Sequence, residues 1–111
     1  MKLINYYKKG LILSGQQKDE ERIFVGEAPD ELFFINQALT DLQEKEAQSV
    51  FEERELAPLK SDALSYGIAY LLSIHANDGK MSSYLSSIYN GKRAAALSGK
   101  AKIKDTFIKE V

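Results

Sequence analysis

The sequence predicts a mainly α-helical domain, and three observations carry that prediction. Leu32, Ile35, Leu39 and Leu42 recur at spacings of 3, 4 and 3, one face of an amphipathic helix. Residues 63–76 hold no charged side chain, and Leu64, Ile68, Leu71, Leu72 and Ile74 surround almost the whole helical circumference. A helix apolar all round belongs in the middle of a bundle. Short polar breaks then separate further periodic stretches, at lengths that suit helix–helix loops. The expected architecture is a compact bundle of five to six helices around a central helix at about residues 62–76. A chain of 111 residues fits one domain, here 1–111. Its 44% hydrophobic content is too high for a disordered chain.

The N-terminal segment 1–25 reads two ways. Leu3, Ile4, Tyr6 and Tyr7, then Leu11, Ile12 and Leu13, form two apolar runs around Lys8-Lys9-Gly10. A helix broken at Gly10 suits them, and so does a hairpin turning there. Residues 14–21 read as a polar loop, and residues 22–26 as a short strand or a buttress on the core.

Pro29 sits at a favoured first-turn position, with Asp30 and Glu31 where the helix dipole favours acids. The stripe beginning at Leu32 continues less strictly through Ala47, Val50, Phe51 and Leu56, which predicts a helix over about 30–55. Pro58 closes it, and the weaker pattern allows a break near Gln48-Ser49. Ser61 reads as the N-cap of the central helix, and Asn77-Asp78-Gly79 as its stop. Gly67 within it costs about 1 kcal/mol of helix propensity, so it implies close approach of a neighbouring backbone. Met81, Tyr84, Leu85 and Ile88 predict the next helix, capped by Asn90-Gly91. A further helix is expected over Lys92–Leu97 and a last one around Ile103, Phe107 and Ile108.

Chemistry is excluded more firmly than it is found. Without Cys there is no disulfide framework and no thiolate ligand or nucleophile. No metal site is expected, since His75 is the single histidine and no HExxH-like spacing exists. Its expected place is packed against, or capping, a helix C-terminus. Gly91-Lys92 and Gly99-Lys100 are followed by Arg93 and Ala101, so neither completes a phosphate loop. No catalytic residue and no cofactor is expected. No apolar run approaches the ~20 residues that cross a bilayer. No sustained apolar stretch follows the first basic residues, so the expected location is cytoplasmic.

Charge layout carries the functional expectation. Residues 19–62 hold thirteen acids against four bases, a net −9, whereas residues 80–111 hold seven bases against two acids, a net +5. Few bases lie four residues from an acid, Asp41 and Lys45 being one such pair, so an exposed acidic face is expected. Such a face repels nucleic acid and steers a basic protein. The expected contacts are Asp41, Glu44, Glu46, Glu52, Glu53 and Glu55, joined by Tyr84 and Tyr89 of the serine- and tyrosine-rich stretch 82–89.

No family motif is matched. With bacterial toxin-neutralising immunity proteins the chain shares a type: small, without a catalytic constellation, carrying an acidic block. The leading expectation is therefore a non-enzymatic inhibitor that covers the active site of a basic, nuclease-type partner. The alternative is a small nucleic-acid-binding regulator using Lys92, Arg93, Lys100, Lys102 and Lys104.

Overall fold

A computed structural model describes residues 1–15 and 29–98 of the chain. These residues form four helices: α1 (Leu3–Leu13), α2 (Pro29–Asp41), α3 (Pro58–His75) and α4 (Gly79–Ser98). The all-α expectation holds, but the count of five to six does not match the four helices found. The expected loop at 16–21, strand at 22–26 and helix around Ile103–Ile108 lie outside the described residues. Among the described residues no helix is long and apolar enough to cross a membrane.

α1 is an unbroken helix, so the hairpin reading of residues 3–13 falls and the helical reading holds without its expected break. Gly10 neither breaks it nor turns it. A Cβ at Gly10 would lie 2.8 Å from Ile68 Cγ2 and 3.2 Å from the Ala69 backbone nitrogen, so the glycine lets α1 lie directly on α3. The first N–H groups of a helix lack internal partners. Here no side chain caps them. Instead the Leu3 and Ile4 N–H groups donate to the carbonyls of Glu52 and Val50, at 2.9 and 2.8 Å. An isolated antiparallel bridge between Lys2 and Glu53 extends the same seam.

That seam explains the main correction to the expected 30–55 helix. α2 stops at Asp41, because Gln43 takes a left-handed conformation with φ 62°. The Gln43 and Glu44 N–H groups then close the end onto the carbonyls of Thr40 and Leu39. Residues 42–57 run as irregular chain, not helix. Asn36 holds this segment from both sides: its Nδ2 donates to the Ala47 carbonyl at 3.1 Å, and its Oδ1 accepts from the Ala47 N–H at 2.7 Å. Ala47 and Val50 are buried, so they are apolar for a core reason, but in an irregular strap over α1.

α3 also starts earlier than its expected cap. Ala57 is the N-cap and Pro58 opens the first turn, so Pro58 begins a helix instead of ending one. Ser61 is inside the helix, hydrogen-bonded to the Tyr6 hydroxyl at 3.0 Å. At the far end the stop is as expected: Asn77 carries φ 60° and its N–H donates to the Ile74 carbonyl. Asp78 then caps α4, its Oδ1 accepting from the Met81 N–H at 3.1 Å. α4 runs through Asn90-Gly91 without a break. Nothing lies within 4 Å of a Cβ built at Gly91, so this glycine is an exposed helical residue. Lys92 and Arg93 pin the next turn onto Asp62 and Asp41.

The core joins α1, α2 and α3, and Tyr89 and Ala96 of α4 complete it. Leu3, Ile35, Leu39, Leu42, Leu64 and Ile68 are fully buried together. Leu72 is buried with them, whereas Leu32, Leu71 and Ile88 are half-buried. Leu71 faces the groove described next.

Candidate functional site

α2 and α4 both lean on α3 and are tied to each other through one cluster. Tyr89 of α4 packs against Gly67 of α3, where a Cβ would stand 2.9 Å from the ring. The expected close approach at Gly67 exists, but its neighbour is an aromatic ring, not a backbone. Tyr70 stacks on the same ring, with centroids 6.3 Å apart and planes inclined by 23°. The Tyr89 hydroxyl donates to Asp41 Oδ2 at 2.5 Å. Arg93 Nε pairs with the same carboxylate oxygen at 3.0 Å and donates to the Asp41 carbonyl at 3.2 Å. A cation there also suits the negative end of α2. Burial of Tyr89, then its bond to the Asp41 carboxylate, pushes its phenol well above the ordinary tyrosine value, and Arg93 opposes this only weakly.

Beyond this cluster α2 and α4 leave a groove of about 760 Å³. Gly67, Tyr70 and Leu71 of α3 line its floor, Phe33 and Gln37 of α2 one side, and Glu46 and Gln43 of the irregular segment one end. Phe33 is 60% exposed, a large apolar ring left in water and edge-on to Phe34. Sequence periodicity missed Phe33 because it lies beside the core stripe, between Leu32 and Ile35. An aromatic just off such a stripe is the one sequence signal that marks it.

Three of the eight expected contact residues, Asp41, Glu46 and Tyr89, meet in this groove. The others lie elsewhere. Glu44 pairs with Lys60 at 2.7 Å, and Glu52 with Arg54 at 2.6 Å. The hydrogen bond from Arg54 holds the Glu52 carboxyl below its usual value. Glu53 and Glu55 lie 2.5 and 3.9 Å from the Met1 amine, which its hydrogen bond to Glu53 raises above the ordinary value. Tyr84 is 63% exposed and does not line the groove. Asp41, Glu44, Glu53 and Glu55 thus find partners on distant segments and Glu52 finds one two residues away, none of which a search at i+4 sees. The Asp41–Lys45 pair is not formed, because the helix ends at Asp41.

Lys92 and Arg93 of the basic third are engaged in the same way. Lys92 Nζ lies 2.6 Å from Asp62 and 4.9 Å above the Tyr66 ring. Its hydrogen bond to Asp62 raises its pKa. His75 ends α3 with its ring edge-on to Phe34 at 5.5 Å. Among the described residues no group of three or more His, Asp or Glu is placed to hold a metal ion. No protein-family model, curated protein or solved structure matches this chain.

Proposed function

We propose that this chain is a non-enzymatic protein-binding inhibitor of the toxin-neutralising type, acting on a basic partner such as a nuclease domain. One observation carries the reading. Glu46, Glu53 and Glu55 stand exposed on an irregular segment whose backbone is fixed before any partner arrives. Ala47 and Val50 anchor that segment in the core, Asn36 grips it, and Arg54 Nη1 donates to the Lys45 carbonyl at 2.6 Å. Carboxylates presented on an ordered backbone bind with less loss of conformational entropy than the same acids on a loose loop. Their charge favours fast association with a basic surface. Engagement of Lys92 and Arg93 by Asp62 and Asp41 weighs against their use on phosphates.

The test is a triple charge reversal, Glu46→Lys with Glu53→Lys and Glu55→Lys, compared with the unaltered chain. Both are used as bait in lysate of the source cells, and the retained material is identified by mass spectrometry. The unaltered chain should retain one basic protein in stoichiometric amount. The variant should melt like the unaltered chain, because exposed ion pairs add little to stability. It should associate with that protein more slowly and with a weaker dependence on salt. Retention of nucleic acid instead, or an association rate indifferent to the reversal at low ionic strength, would refute the proposal.

A further inference from the structure

We propose that the groove over α3 is the seat of an amphipathic helix supplied by the partner, with basic residues beside its apolar face. This rests on the reading of a basic protein partner above and names how that partner is gripped. Shape is the first argument. α2 and α4 flank α3 and are joined at the Asp41 end by Tyr89 and Arg93, which leaves a trough with two helical walls and a helical floor. A further helix laid there completes the bundle, and an apolar helical face in a groove is a recurrent mode of peptide recognition. Chemistry is the second. Phe33 is mostly exposed and Tyr70 and Leu71 are half-buried, so the trough offers apolar anchors that the described residues leave uncovered. Charge settles the sign of the occupant. Arg93 is matched by Asp41, whereas Glu46 is exposed and has no ion pair among the described residues. The groove is therefore net negative at its polar end and complements a Lys or Arg.

Two designed peptides of about 18 residues, roughly five helical turns, serve as probes. One is built from Leu and Lys, the other from Leu and Glu with the same apolar face. Binding to the full chain is read by fluorescence anisotropy at low ionic strength. The Leu/Lys peptide should bind at least tenfold more tightly than the Leu/Glu peptide. Phe33→Ala should weaken it about tenfold, close to 1.4 kcal/mol. Glu46→Lys should weaken it while Tyr84→Ala leaves it unchanged, and backbone amide resonances of Phe33, Gln37 and Leu71 should shift on titration. If Phe33→Ala has no effect while Glu53→Lys with Glu55→Lys does, the groove falls and the basic-partner reading stands. If both peptides bind equally and Phe33→Ala weakens both, the charge argument falls with the basic-partner reading. A concentration-dependent dimer that Phe33→Ala dissolves would overturn the proposal in favour of a second copy of this chain.

Discussion

α1 and α4 both pack on α3 across a glycine, yet one contact closes the molecule and the other opens onto a groove. At Gly10 the missing side chain admits Ile68 and the α3 backbone, so α1 and α3 meet with no α1 side chain between them at this point. At Gly67 the vacancy admits the Tyr89 ring, whose hydroxyl reaches across to Asp41 at the end of α2. A ring laid between elements works as a spacer, and a spacer with a polar tip also fixes the distance to its partner. The same residue type therefore has two outcomes, decided by what enters the space it leaves. The α1 side is a finished core. The α2–α4 side is held at a set separation, with Phe33 and Leu71 beside the opening.

The largest effect is expected where the contact is closed. Gly10→Val places branched carbon against Ile68 and the Ala69 backbone, and overpacking of this kind should cost about 3 kcal/mol. Chemical denaturation measures it; a cost below 1 kcal/mol, on the order of a surface substitution, would mean that α1 and α3 can separate without penalty.

Tyr89→Phe comes next, because it keeps the spacer and removes its tip. Loss of a hydrogen bond to a charged acceptor should cost about 1.5 kcal/mol, at the low end for such bonds because Asp41 is half in water. The effect depends on pH with a definite sign. Tyr89 has its pKa raised above the ordinary 10.0 by burial and by Asp41, so its contribution is full below pH 10. As pH rises above 10 the unfolded chain ionises first, and the contribution is lost. The stability gap between the unaltered chain and Tyr89→Phe should therefore narrow above pH 10, and absorbance at 295 nm should lose its most alkaline tyrosine component. A gap that widens with pH would reverse the assignment.

The closed side was legible in the sequence and the open side only in part. Leu64, Ile68 and Leu72 announce α3 by their spacing, and Ile35, Leu39 and Leu42 announce α2, because their burial follows a local period. Ala47 and Val50 continue that period by accident. Asn36 holds Ala47 and the Ile4 N–H holds the Val50 carbonyl, and no local pattern encodes a partner 11 or 46 residues away. Asn90-Gly91 misled for the opposite reason. Its local preference for a cap is overruled by Lys92 and Arg93, which reach Asp62 and Asp41 across 30 and 52 residues. Tyr89 was visible as a tyrosine in a serine-rich stretch, but its role as a spacer depends on Gly67 and Asp41, which sit on two other elements.

Leu71→Ala sharpens the comparison along a single helix. Leu64 is fully buried on the closed side, and its truncation to Ala should cost ~2–5 kcal/mol. Leu71 is half-buried on the groove floor, so the same truncation should cost only about 1 kcal/mol, because water already reaches the site. Equal costs at the two positions would mean that the groove is filled.

Phe33→Ala has the smallest expected effect on folding and tests the open side most directly. Phe33 is 60% exposed, so its removal should cost less than about 1 kcal/mol in urea denaturation of the full chain, as for other exposed positions. A buried phenylalanine loses ~3–5 kcal/mol on truncation to Ala. A near-neutral result is what an open groove between α2 and α4 predicts. A loss of about 3 kcal/mol or more would show Phe33 covered in the free chain and the groove closed.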